Sequence, residues 1–438
     1  MLEPAPIGTY ADNFFGGEPE FSVPSAARRK HMAIFGATGT GKSTLLANMA
    51  ASDIATGAGV TVVDPHGGVF RDLLSNHIPR SRKNDVIVFD PSDREHPIAL
   101  NVLDCPRREQ RGLVVSHVMS IFYKLWSDSW GARMEHILRN SLWVLIEQPQ
   151  PTSLLAISKL LTNPASRAEF LDRAGNDKAV DFFRNQFDRW PAAFREEAIS
   201  PVLNKCDAFL TDPMMRAIIG QTRSTFNFRW MMDRRKVLLC NFAKGLIGDD
   251  NARLLGSLVI LKEKLAALSR EDTPEPERVP HAVYVEEAQS FLGDFESMFA
   301  ETRKYSVPLT IATQGVESLS PRDAAAVFTN CGTVLTSRLS APDALRVAQE
   351  FGPDVSSDVL QDLPDYTFYV QTLTQIGTVA GASPSAAHRV NAYAPFRPHE
   401  HHAYRESAIA VSRARYAKPR AIVEDQIRRQ FFRDAKTA

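Results

Sequence analysis

The stretch Gly36-Ala37-Thr38-Gly39-Thr40-Gly41-Lys42-Ser43 fits the pattern G-x-x-x-x-G-K-[ST], and its flanks constrain the fold more than any other segment. Residues 31–35 are apolar and read as a buried strand entering the loop, while residues 44–50, from Thr44 onward, read as the start of a helix. A strand, a glycine loop and a helix in that order form a phosphate cradle. The glycines let successive backbone N–H groups converge on phosphate oxygens, and the helix N-terminus adds its positive end. Lys42 is placed to reach the β- and γ-phosphates, and the Ser43 hydroxyl to ligate Mg²⁺. The segment therefore predicts a site for a nucleoside triphosphate, with ATP and Mg²⁺ as its cofactors.

The rest of the chain supplies the matching pattern. Apolar segments alternate with helical ones, which is the signature of an α/β fold with a parallel sheet covered on both faces. Strands are expected at residues 60–63, 85–90, 236–242, 282–285, 308–313 and 333–336, with a final hairpin formed by 367–370 and 376–379. Between about 107 and 235 the periodicity is helical, clearest over 134–143. The expected organisation is thus a nucleotide-binding core in two parts, 1–106 and 236–382, interrupted by an all-α insertion, 107–235, and followed by a basic tail, 383–438. The segment Arg270–Arg278 reads as a charged, proline-containing loop, and Arg80–Lys83 as an exposed turn.

Composition narrows the class further. Fifty-one basic and 51 acidic side chains give a net charge of zero, which excludes a histone-like basic coat but permits local stripes that bind nucleic acid. The four cysteines are far apart and without a C-x-x-C pair, so neither a zinc site nor a disulfide scaffold is expected. The first residues lack a basic region followed by an apolar stretch, and no apolar run reaches about 18 residues, so neither a signal peptide nor a spanning helix is expected and the location reads as cytoplasmic.

Hydrolysis needs an acid to orient Mg²⁺ and a group to activate water. Val283-Tyr284-Val285-Glu286-Glu287 is an apolar strand ending in two acids. Glu286 is the candidate to orient Mg²⁺ and Glu287 the candidate general base. Gln314 ends the next strand, where an amide senses the γ-phosphate, orients water, or simply occupies a strand-to-helix turn. Asp64-Pro65-His66-Gly67-Gly68 closes the second strand without a definite role for the acid. Residues 405–438 carry nine lysines and arginines against four acids, densest at Arg413, Arg415, Lys418 and Arg420. Such a stripe holds phosphates without reading sequence, straps a neighbouring subunit, or is a solvated tail. Residues 226–230 interleave aromatic and basic side chains but precede a core strand, so core packing is expected. The histidine-rich 399–402 has side chains that ligate metals, but a lone tract of this kind reads as uncommitted.

The ordered set G-A-T-G-T-G-K-S-T at 36–44, D-P-H-G at 64–67, V-E-E-A-Q at 285–289, E-T-R-K-Y at 301–305 and A-T-Q at 312–314 resembles the FtsK/HerA superfamily of DNA-pumping ATPases. Within it the chain is most similar to the soluble ATPase domains of TraG/TraD-type conjugative coupling proteins, over about residues 20 to 430. The resemblance implies a RecA-like core with an all-α insertion, a homo-hexameric ring, and ATP-driven, sequence-independent movement of DNA. It implies partners in conjugation, a relaxase and the secretion machinery, or alternatively a nuclease. A nucleotide-dependent switch and a protein-secretion ATPase are the other readings. The family pattern also makes Arg303 the candidate arginine finger acting in trans, with Arg338 in reserve. Glu286 stands where aspartate is usual, and many coupling proteins carry spanning helices that this sequence lacks.

Overall fold

A computed structural model describes residues 2–11, 19–105, 107–291, 295–374, 383–384, 387–395 and 402–432. The chain divides into two compact units. The first holds residues 1–89, 228–248 and 255–412, and it contains the sheet.

Its strands are β1 (Ala5–Tyr10), β2 (Glu20–Val23), β3 (Met32–Phe35), β4 (Gly59–Asp64), β5 (Val86–Phe89), β6 (Val237–Asn241), β7 (His281–Val285), β8 (Leu309–Thr313), β9 (Thr333–Thr336), β10 (Thr367–Thr374), β11 (Ser383–Pro384) and β12 (His388–Ala392). They lie in the order β2-β1-β12-β10-β9-β3-β8-β7-β4-β6-β5, with β11 beside β10. From β9 to β5 every pairing is parallel. From β9 to β2 every pairing is antiparallel. Every residue of β3, β4, β6, β7, β8 and β9 is buried, as a parallel sheet covered on both faces requires.

The expected parallel strands are present, but the hairpin is not the final edge. Thr367–Thr374 lies inside the sheet, paired with β9 and β12 and at its end with β11; residues 376–379 lie outside the described residues. The antiparallel edge adds β1, β2 and β12, which are short and irregular in pattern. A bulge between Pro6 and Gly8 breaks the alternation of β1.

The helix Lys42–Ala55 buries Leu45, Leu46, Met49, Ala50 and Ile54 in the same core as Ile34, Val62, Tyr284 and Ala312. One buried ion pair orders this core. Arg28 donates to both oxygens of Asp53, at 2.9 and 2.7 Å, and the Tyr284 hydroxyl donates to Asp53 Oδ2 at 2.7 Å. These bonds join the phosphate-loop helix to β7, the strand that leads to the two acids.

The second unit holds residues 90–227, 249–254 and 413–438. Its main helices are Arg111–Leu125, Ala132–Ile146, Ala156–Thr162, Pro164–Arg173, Ala192–Leu210 and Pro213–Ile219. Its boundaries differ from 107 and 235. Residues 98–105 lack helical periodicity, yet Leu100 N–H donates to Ile218 O at 3.0 Å and the Asn101 amide to Thr152 O and Thr222 O, both at 2.7 Å. Conversely, the helix Phe228–Asp233 groups with the sheet, and Arg229 pairs there with Asp272 at 3.0 Å. The tail is not a separate unit: it divides at Ser412.

The turn read as exposed and the charged loop each contain a buried arginine. Arg82 is 8% exposed and donates to Ile54 O and Ala58 O at 3.0 and 2.9 Å. Arg270 is fully buried and pairs with Asp233 at 2.9 Å. Both guanidiniums donate to backbone carbonyls of neighbouring segments, Arg82 to those of Ile54 and Ala58 and Arg270 to those of Val279 and Tyr305, a use that charge patterning does not reveal. Of the aromatic stretch 226–230, Phe226 and Phe228 are buried as expected, whereas Trp230 is exposed.

Candidate functional site

Parallel strands end on one edge of the sheet, so motifs far apart in sequence become neighbours there. The order β3-β8-β7-β4 sets the phosphate loop, Gln314, the Glu286–Glu287 pair and Asp64 side by side. Each follows directly from the carboxyl end of its strand.

The phosphate loop is held by its surroundings. Ala37 N–H donates to Arg338 O at 2.7 Å, and the Thr40 hydroxyl bonds both Ala37 O, at 2.8 Å, and Ser337 Oγ, at 2.6 Å. A Cβ at Gly36 would lie 1.8 Å from Ser337 Oγ, so only glycine fits against β9's end. Gly41 has φ 101, a conformation that glycine adopts without strain, and from it the helix starts at Lys42. Thr38, Gly39 and Ser43 are exposed at the loop's open side, and Thr44 is half-buried. Lys42 is buried and its ammonium donates to Ala37 O at 3.0 Å. Burial lowers its pKa, opposed by the charges of Glu287 and Glu286.

The acids lie opposite. Ser43 Oγ donates to Glu286 Oε1, and Glu286 N–H donates to Val63 O at 3.0 Å, which ties the end of β7 to β4. Burial, and next the Asp64 carboxylate, push Glu286 up to about 8. Asp64 accepts from the backbone N–H groups of His66, Gly67 and Phe70 at 2.7, 2.8 and 2.9 Å. The residue without a definite role in the sequence therefore shapes the turn after β4 and adds negative charge beside Glu286. Glu287 has φ 46 and is 9% exposed. Its Oε2 accepts from the amides of Gln289 and, at 3.3 Å, Gln314. Gln289 Oε1 in turn accepts from the Thr313 hydroxyl at 2.7 Å.

These residues fit Mg²⁺. Burial and the neighbouring Asp64 charge favour a proton on Glu286, and a divalent cation beside Ser43 Oγ and Glu286 would take that proton's place in a hard oxygen site. Among the described residues no group of three His, Cys, Asp or Glu side chains forms a protein metal cage. Residues 399–401 lie outside the described residues.

The structure does not bring every candidate to this edge. Arg303 is exposed in the turn Thr302–Tyr305, which precedes β8 and so stands at the amino ends of the parallel strands. There burial pushes His31, just before β3, down to about 3, and the Arg303 charge adds a smaller effect in the same direction. Arg338 is beside its own phosphate loop and pairs with Asp365 at 2.9 Å. In the tail, Arg413 pairs with Asp93 at 2.6 Å and Arg420 with Glu424 at 2.7 Å, both within the helical unit. Among the described residues no helix is long and apolar enough to cross a membrane.

Gln289 and Ser337 were not candidates from sequence. Gln289 belongs to the V-E-E-A-Q stretch, but only the register of β7 against β8 pairs it with Thr313. Ser337 had no local signal.

Residues 24–118 match the family model of the helicase HerA central domain. No curated protein sequence matches the chain. Among solved structures, the plasmid coupling protein TrwB in complex with the ATP analogue ADPNP is 17% identical with a TM-score of 0.60, over 85% of this chain and 87% of that one. TrwB in complex with ADP and Mg²⁺ is 16% identical with a TM-score of 0.58, over 90% and 95%. VirB4 of Thermoanaerobacter pseudethanolicus is 15% identical with a TM-score of 0.57, over 92% and 98%. The FtsK/HerA resemblance is thus borne out: a segment matching the HerA central domain, which contains the phosphate loop, lies within the fold of the TrwB and VirB4 proteins.

Proposed function

We propose that this chain is a P-loop ATPase that assembles into a ring and moves DNA, as in conjugative or mobile-element transfer. The ATPase reading, with ATP and Mg²⁺, is borne out by the HerA match and the nucleotide-bound relatives. Ring formation and DNA movement are the proposal. The observation that carries the chemistry is the convergence of Lys42, Ser43, Glu286, Glu287 and Gln314 on one sheet edge.

Bound Mg²⁺ supplies charge neutralisation on the phosphates. Ser43 and Glu286 are the residues that would hold it, while backbone N–H groups of residues 36–44 cradle the phosphates. Lys42 stabilises charge on the transferring phosphoryl group. Glu287 accepts the proton of the attacking water, and Gln289 and Gln314 fix the carboxylate's orientation. Arg303, remote from its own phosphate loop, serves that of the next subunit in a head-to-tail ring.

The test is turnover with and without DNA. DNA of any sequence should stimulate ATP hydrolysis, and rising salt should abolish the stimulation as counterions compete for phosphate contacts. No stimulation by any DNA would favour a switch or a protein-secretion ATPase. The HerA match supports a second reading, an ATPase that works with a nuclease. Co-purification with nuclease activity distinguishes it.

A further inference from the structure

We propose that Tyr366 is the nucleoside platform of this site, its ring stacking on the base of the bound triphosphate. The inference rests on the nucleotide reading above and adds the residue that holds the other end of the ligand.

Tyr366 immediately precedes β10 and has φ 62. An aromatic residue in this left-handed region is strained, and such strain persists only where the surroundings enforce it. Here they do. Tyr366 N–H donates to Thr40 O at 3.0 Å, and its carbonyl accepts from Ala392 N–H at 2.8 Å. The ring lies over Gly41 so closely that a Cβ there would sit 2.7 Å from Tyr366 Cδ1. The preceding residue, Asp365, pairs with Arg338, whose carbonyl accepts from Ala37 N–H. Two consecutive residues thus fasten the beginning and the end of the phosphate loop from the same side.

The fastening uses the Tyr366 backbone and the Asp365 carboxylate, not the phenol ring. The ring is nevertheless large, 41% exposed, and set at the N-terminus of the helix that starts at Lys42. A triphosphate in the loop leaves its nucleoside at the loop's rim, where a flat apolar face gains by being covered. Stacking on an aromatic ring tolerates any base, because every base has a π-face.

Calorimetric titration with Mg-ATP and with Mg-tripolyphosphate separates the two ends of the ligand. Tyr366→Ala should weaken ATP binding by roughly 10-fold, the size of one aromatic stack, and leave tripolyphosphate affinity unchanged. Tyr366→Phe should restore ATP affinity. Tyr366→Gly, which adopts φ 62 without strain, should behave like the alanine variant and exclude a backbone effect. An equal loss for both ligands, or undiminished ATP affinity in the alanine and glycine variants, would overturn the proposal. Wild-type protein that bound neither ligand would instead overturn the nucleotide site itself.

Discussion

Replacing Glu263 by glutamine should stabilise the sheet unit increasingly as pH rises. Glu263 lies in the helix Asp249–Leu268 and is fully buried. Its Oε1 accepts from the Thr61 hydroxyl of β4 at 2.6 Å, and the same hydroxyl meets His281 Nε2 of β7 at 2.9 Å. Arg270 and Cys240 also face this cluster. Burial pushes the carboxyl from its ordinary 4.5 up to about 8, against the smaller opposing effects of Thr61 and Arg270. Between those values the native state keeps a proton that the unfolded chain releases. Stability is therefore fully present below 4.5 and is lost as pH rises towards 8, by about 1.4 kcal/mol per pH unit. His281, pushed down to about 3 by burial, stays neutral across this window in both proteins and divides out. Glutamine keeps the acceptor for Thr61 but does not titrate. Cys240, fully buried in β6, provides the assay, because a thiol reagent reaches it only when the unit opens. Site-resolved labelling rates, taken as the wild-type-to-variant ratio at each pH, cancel the thiol's own ionisation. From about pH 5.5 to about pH 7.5 the ratio should rise about 100-fold, equivalent to about 3 kcal/mol. Any constant offset from the new amide leaves that slope intact. A ratio flat across the window would mean that Glu263 ionises normally in the native state, and the reasoning would fail.

Glu287→Gln should retain ATP binding yet lower turnover by roughly 10²–10⁴, the usual contribution of a general base; normal single-turnover hydrolysis would remove that role. Arg303→Ala should lower turnover by on the order of 10³–10⁵ if it is a finger in trans. Mixing it with Lys42→Ala subunits, which keep Arg303, should restore part of the activity, and verified mixed rings without recovery would refute the assignment. Asp53→Ala leaves the Arg28 guanidinium buried without its carboxylate, which should cost about 3–5 kcal/mol in urea unfolding of the sheet unit. A loss below about 1 kcal/mol, the scale of an exposed pair, would mean that Arg28 reaches water instead.

The chemistry-bearing residues were legible because each sits in a local pattern. A glycine loop between strand and helix, two acids at a strand end, and an amide at the next strand end are all short-range signals. The parallel part of the sheet was legible for the same reason: strands buried on both faces are uninterrupted apolar runs. Strand order is different, because it depends on which edges pair rather than on any one segment. Only tertiary structure inserts β8 between β3 and β7, and so brings Gln314 between the phosphate loop and Glu287. Pairing likewise decides the partners of β10, the burial of Arg82 and Arg270, and the separation of Arg303 from its own phosphate loop. Asp64 and Tyr366 belong here too. An acid after a strand and a tyrosine before one are common in sequence, and their place beside Glu286 and Gly41 comes from contacts across more than two hundred residues. Sequence thus determined which groups this chain brings to a phosphate and a water molecule. The sheet's order decided which of them meet, because hydrogen-bonded strand pairing is a long-range choice that no local periodicity records.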